Sequence, residues 1–292
     1  MTASAQLRSG KGRRDENFPV ASWLIKPRHR PIIFAFYEFV RVADDIADHV
    51  TLGAGEKLAR LDRLEASLLG ESADEPEGVR LGALLRERGL APRHAQDLLK
   101  AFHLDVTKLR YANWAELIDY CSLSAMPVGR FVLDVHGESR AAWAASDALC
   151  AALQIINHVQ DCGADYRNLD RVYIPLDALA SNGIGIEALG EKTASSALQN
   201  ALQAVVERTA ALLAQSAVFS AGIADTGLAF EVAAIQALAV RLLAILRVRD
   251  PLSERVHLAK AQVAAISASA VAREFARRLL RGRPSARRYQ TP

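Results

Sequence analysis

Between Pro175 and Pro251 the chain carries no other proline, and much of that span is alanine and leucine with scattered polar residues. Where helix breakers are missing and apolar residues recur every three to four positions, the backbone is committed to helix. Two long helices are expected there, near 192–222 and 226–248, the second stopped by Asp250-Pro251. The same periodicity predicts helices near 32–50, 56–70, 79–89, 92–109, 113–136, 147–165 and 252–281, with Ser146 or Asp147 as a cap for the helix over 147–165. Loops are expected at "TLGAG", "GESADEPEG", "HGES", "NLDRVYIP" and "SNGIGIEALG". No stretch alternates as a strand would, and no segment repeats. The fold class that follows is all-α: one bundle-like domain of ten or so helices.

The rest of the composition removes other classes. With 292 residues, 51% of them apolar, the chain has ample core. A net charge of +3 is no nucleic-acid signature, and no nucleic-acid partner is expected. "GIGIEALG" lacks the strand-then-helix context of a dinucleotide site. Cys121, Cys150 and Cys162 are odd in number and lack metal-type spacing, which fits a reducing cytoplasm. Residues 1–16 have no apolar core of a secretory signal. The most apolar run, 228–246, contains Glu231, Gln236 and Arg241 and is expected to be a buried helix. One domain over 17–281 is expected between an N-terminal tail, 1–16, and a basic C-terminal tail, 282–292. Residues 273–292 hold seven Arg against one Glu. That composition suits a solvated tail or a tether to an anionic membrane surface.

Two acidic clusters sit where surface should be buried. In "RVADDIADHV", Asp44 and Asp48 are four apart and share a helix face with Tyr37 and Arg41. Their neighbours Ile32, Ile33, Phe34, Phe36, Phe39, Val40, Val42 and Ile46 leave little of this helix for solvent. In "LQIINHVQDCGADYRNLDRVYIP", Asn157, Asp161 and Asp165 step by four, and Gln154 extends the polar side. Buried without a partner, such carboxylates would cost several kcal/mol each, or stay protonated. Two pairs on apolar helices therefore point to an interior cavity and a cation. Hard oxygen donors favour Mg²⁺, which takes one or two carboxylates and binds phosphate oxygens. A di-iron bundle would need two Glu-x-x-His units, and only Glu254-Arg-Val-His257 has that form.

These residues resemble the head-to-head isoprenyl diphosphate synthases, the family of squalene and phytoene synthases. "YEFVRVADDIAD" is similar to the first aspartate-rich motif of that family and the 153–175 segment to its second. "YCSLSAMPVGRFVL" is similar to the stretch between them. The likeness runs from about Asn17 to about Leu246. It implies the isoprenoid synthase helical bundle with a central apolar cavity, Mg²⁺ dependence and an isoprenoid diphosphate substrate. Within the family, "ENFPVASWLIKPRHRP" and "SAMPVGR" look like the bacterial branch that converts presqualene diphosphate and water to hydroxysqualene and diphosphate in hopanoid biosynthesis. Condensation of two prenyl diphosphates, giving presqualene diphosphate, squalene or phytoene, is the alternative. An oily product would favour peripheral contact at the inner face of the membrane. Oligomeric state is not legible.

The resemblance departs from the family pattern at Gln160 and Ala164, and at Asp15-Glu16-Asn17-Phe18, where carotenoid-type relatives have a Ser-Lys-Ser-Phe-like element. It implies that Asp44, Asp48, Asp161 and Asp165 hold Mg²⁺ with Asn157 as a further oxygen ligand, and that Asp45 assists. Arg41 and Arg171 would bind diphosphate oxygens. Phe18, Tyr37, Tyr120, Phe131 and Phe230 are candidates for the aromatic lining that stabilises a carbocation, Tyr120 foremost. Val128 and Gly129 would shape a tunnel for the tail, and Gln154 or Asn157 could position a quenching water. Asp105 is a weaker ligand candidate, its other reading being an ion pair with Lys108 or Arg110.

Overall fold

A computed structural model describes residues 24–281. Phe18 and both expected tails, 1–16 and 282–292, lie outside the described residues. The described chain forms α-helices joined by short loops, and its one β-type contact is a parallel bridge between Arg110 and Val172. The helices are α1 (Arg30–Ala47), α2 (Ala54–Leu69), α3 (Pro76–Glu87), α4 (Arg93–Thr107), α5 (Trp114–Ser124), α6 (Met126–His136), α7 (Trp143–Leu169), α8 (Leu176–Ala180), α9 (Ser196–Gln215), α10 (Phe219–Gly222), α11 (Thr226–Leu246) and α12 (Lys260–Arg281).

Local chemistry sets the ends. Pro31 enters α1 in its first turn, where a missing N–H costs nothing. Asn113 caps α5 by accepting from Glu116 N at 3.1 Å, and the Glu116 carboxylate accepts from Ala112 N, just before the cap, at 3.0 Å. Ser195 and Asp225 cap α9 and α11 in the same way, at 3.2 and 3.1 Å.

Several expectations are corrected. The helix expected over 113–136 is two helices, broken at Ala125, because Pro127 cannot donate within a continuous helix but suits the first turn of a new one. The helix over 147–165 begins earlier, at Trp143, and ends later, at Leu169. Neither Ser146 nor Asp147 caps it: Ser146 is buried, and Asp147 pairs with Arg130 at 2.6 Å. The helix over 192–222 is interrupted after Gln215 by a 3-10 turn, Ser216–Val218. The last helix starts at Lys260 rather than 252, because the Asp250 carboxylate takes Leu252 N and Ser253 Oγ, at 2.8 and 2.7 Å, into a turn.

Buried side chains form two clusters. One gathers α1–α4 together with Phe131 and Val135 of α6. The other is built mainly on α5, α7, α9 and α11. α7 is its axis, packed on both α6 and α9. α11 is long and apolar enough to cross a membrane, and half of it is buried inside the fold. The site lies along the seam between the two clusters.

Candidate active site

A cavity of about 490 Å³ opens between α1, α4, α5 and α7. Asp44, Asp48, Tyr37 and Arg41 enter its wall from α1, and Gln154, Asn157, Asp161 and Asp165 from α7. Tyr120 of α5, Val128 of α6 and Arg171 complete the set of expected residues that the fold brings together there. The four-residue step is what does this. It keeps each acidic pair on one stripe of its helix, and the two stripes face each other across the seam.

The polar end of the cavity holds a charge imbalance. Five carboxylates, Asp44, Asp48, Asp105, Asp161 and Asp165, share its wall with two guanidiniums, Arg41 and Arg171. Burial pushes the Asp44 carboxyl up to about 7, and the charge of Asp48 adds to this against the pull of Arg41. The Asp44 side chain is still 37% accessible. Asp44 lines the cavity, so the burial of its carboxyl is incomplete. Burial, then Asp161 and Asp48, raise Asp165 to about 7 as well. One carboxyl from each pair thus has its pKa raised, first by burial and then by the negative charge nearby. Hard oxygen donors with such a surplus fit a divalent ion of the Mg²⁺ type.

Asp45 does not line the cavity. Arg41 lies across the helix surface and pairs with Asp44 at 2.7 Å and Asp45 at 3.2 Å, so Asp45 is a neighbour that orients the arginine. Gly129 is not a tunnel residue either. A Cβ there would meet Cys150 Sγ at 2.6 Å and also strike Ser146 Oγ, so the missing side chain serves the close approach of α6 to α7. Phe131 stacks on Phe36 at 3.8 Å between ring centroids and pins α6 to α1. Phe230 is paired with Phe275 at 6.4 Å, away from the cavity wall.

Asp105 is the largest correction. It makes no surface ion pair: Lys108 binds Glu116 at 2.8 Å, and Arg110 binds Asp170. Asp105 is buried, and its two carboxylate oxygens accept from Tyr120 Oη at 3.0 Å and Tyr173 Oη at 2.7 Å. Burial raises its pKa to about 6, with Arg171 and the two hydroxyls pulling the other way. Burial also drives both tyrosines well above their ordinary range, so they act as hydroxyl donors and ring faces.

Arg171 ties this hub to the first motif. Its Nε donates to Asp105 O at 3.0 Å, its Nη2 to Ala47 O at 3.1 Å, and its Nη1 pairs with Asp48. Burial opposes the charge, but Tyr173, Asp48 and Asp105 outweigh it and keep the guanidinium protonated. Most of the Arg171 donors are therefore spent on the protein. Asp170, with φ 51°, turns the chain out of α7 in the left-handed region that Asp tolerates, and Arg110 holds it. Val172 N then bonds Leu109 O at 2.9 Å, which seats Arg171 and Tyr173 in the wall.

Two wall residues had escaped the sequence reading. His158 stacks on Tyr173 at 3.6 Å and 15° and bonds Gln154 at 3.1 Å. Burial, with Arg171 nearby, lowers its pKa to about 3, so it is neutral. Its signal was available: it lies four after Gln154 and three before Asp161, on the same stripe. Tyr173 had none, since its place depends on the Arg110–Val172 bridge.

The fold is that of the all-α isoprenoid synthases. A squalene synthase, HpnC from Alicyclobacillus acidocaldarius, superposes with a TM-score of 0.71 at 27% identity, over 84% of this chain and 91% of that one. A dehydrosqualene synthase solved with a ligand gives a TM-score of 0.75 over 94% and 96% of the two chains, its 20% identity bearing on fold alone. The profile of the squalene/phytoene synthase family matches residues 11–262; the chain belongs to that family. It is 57% identical to hydroxysqualene synthase of Rhodopseudomonas palustris and 53% identical to that of Sinorhizobium fredii, in each case over 95% of both chains.

Proposed function

We propose that this protein converts presqualene diphosphate and water to hydroxysqualene and diphosphate. The observation that carries this is one cavity with two chemically opposed parts. Facing carboxylate pairs and two arginines gather at its polar end, and Val40, Leu98, Phe102, Val128 and Leu153 form apolar wall beside them. The similarity to hydroxysqualene synthases over nearly the whole chain supports this choice within the family.

Asp44, Asp48, Asp161 and Asp165, with the Asn157 amide oxygen, would hold Mg²⁺. When bound, the ion would stabilise the charge of the departing diphosphate. Arg41, which pairs with Asp44 and Asp45, lies in the cavity wall, where its guanidinium would meet phosphate oxygens. Breaking the carbon–oxygen bond leaves its electron pair on diphosphate and a cation on carbon. The apolar wall excludes stray water, and the rings of Tyr37 and Tyr120 would offer π faces to the cation. One water then donates a lone pair to the cation, forming the new carbon–oxygen bond, and loses its proton to the released diphosphate. Gln154, hydrogen-bonded to His158 at 3.1 Å, or Asn157 would hold that water.

Purified protein with Mg²⁺ is given farnesyl diphosphate in one reaction and presqualene diphosphate in another. Hydroxysqualene is expected from the second alone. Condensation of farnesyl diphosphate without added presqualene diphosphate overturns the assignment.

A further inference from the structure

α12 ends in three large apolar side chains that stay more than half exposed, Phe275 while also meeting Phe230. Phe275 is 53%, Leu279 67% and Leu280 88% exposed. Phe275 and Leu279 are one turn apart on one face, and exposed Ala272, Ala268 and Ala265 continue that face backwards. Contiguous exposure of this kind marks an interaction surface. The small residues alone would define nothing; the bulky cluster at the helix end and its charges do.

Those charges are one-sided. Glu274 is buried under the surface, where it pairs with Arg277 and, at 2.7 Å, with Arg278. Arg278 also donates to Ile223 O at 2.6 Å, which fastens α12 to the loop before α11. Arg273 donates to the Ser269 hydroxyl at 2.8 Å. Four arginines, Arg273, Arg277, Arg278 and Arg281, against one glutamate leave these last turns at +3. The sequence beyond, to Pro292, adds Arg283, Arg287 and Arg288 and no acidic residue. A helix with Phe and Leu on one side and unbalanced Arg beside them has the make-up of an interfacial segment, attracted by anionic headgroups and held by apolar insertion.

We propose that the C-terminal half of α12 docks this protein on an anionic lipid surface. Phe275, Leu279 and Leu280 enter the headgroup region, and Arg273 and Arg277 meet the lipid phosphates. The surface lies apart from the cavity wall, so binding and turnover are separable measurements.

The test is co-sedimentation of the full chain with phosphatidylcholine vesicles, with and without phosphatidylglycerol. Binding is expected only where phosphatidylglycerol is present, and it should weaken as salt is raised. Replacing Phe275, Leu279 and Leu280 together by Ser should lower vesicle affinity at least about tenfold. Arg273→Ala should lower it about five-fold. Circular dichroism should show both proteins folded; if the triple variant is not, Leu280→Ser, at the most exposed position, carries the comparison with a smaller loss. No binding to anionic vesicles overturns the proposal. So does a triple variant that binds as tightly as the parent. A parent dimer that ignores vesicles and becomes monomeric in the triple variant would instead assign the face to a second copy, and also overturns it.

Discussion

The two aspartate pairs share one spacing and one cavity but are held in different ways. The first sits where α1 runs out: α1 ends at Ala47, and Asp48 is its C-cap residue, with its backbone N–H returned to Asp44 O. A helix end is a soft mount, and the fold braces it from outside. Arg171 holds Asp48 and the Ala47 carbonyl, Lys57 Nζ donates to that same carbonyl at 2.8 Å, and Arg41 holds Asp44. The second pair sits inside a 27-residue helix that continues to Leu169, whose own ladder fixes the backbone at both positions. Identical sequence patterns can therefore differ in how far they depend on distant residues. The first pair should be sensitive to substitutions elsewhere, and the second mainly to its own.

The comparison breaks most simply at the ligands themselves. Asp44→Asn and Asp165→Asn should each lower kcat/KM by at least about a thousandfold with an unchanged circular dichroism spectrum, in line with loss of charge stabilisation at a leaving group. Retention of a tenth of the activity by either one would show that its motif is dispensable. Arg171→Ala should then separate the motifs. It strips two buried carbonyls, Asp105 O and Ala47 O, of a donor, and should destabilise by about 2–3 kcal/mol in urea unfolding. No α7 substitution at Asp161 should approach that loss.

Gly129→Ala tests the packing role against the tunnel role. Overpacking against Cys150 and Ser146 should cost about 1–3 kcal/mol in the same assay, with the product unchanged. An altered product at full stability would return Gly129 to the cavity wall. Tyr173→Phe removes one hydroxyl from Asp105 and should cost about 1–2 kcal/mol.

A further expected effect is on pH dependence. Asp44, Asp165 and Asp105, raised to about 7, 7 and 6, hold their protons more tightly folded than unfolded. Without divalent metal, they withdraw stability as pH rises from the unfolded carboxyl range near 4 towards 7. Between pH 5 and 8 the melting temperature of the metal-free protein should therefore fall, as thermal unfolding at fixed ionic strength would show. Mg²⁺ should restore more at pH 8 than at pH 5, because there it meets ionised ligands. Equal Mg²⁺ effects at both pH values would count against these carboxylates as its ligands.

What the sequence disclosed was what a single helix can disclose. Asp44, Asp48, Gln154, Asn157, Asp161 and Asp165 were legible because a four-residue step aligns side chains whatever the surroundings. The central segment over 120–133 was legible as a unit, but the break at Ala125 was missed although Pro127 signals it. The Asp105 hub was hidden for a physical reason. Its partners Tyr120, Arg171 and Tyr173 lie 15 to 68 positions away along the chain, and only the Arg110–Val172 bridge brings the last two into place. Asp45 and Gly129 were misplaced because neighbours in sequence point along different radii of a helix.

The contact between Arg171 and Asp48 spans 123 positions. A ribosome adding 5–20 residues per second takes roughly 6–25 s to cross that gap. Throughout that interval the nascent α1 carries its aspartates and the apolar side chains meant for the cavity, while the residues that will brace and cover them have yet to be made. The chain therefore has no half-built active site that could work early. It also has a window during synthesis in which a sticky, charge-frustrated helix is most in need of shelter.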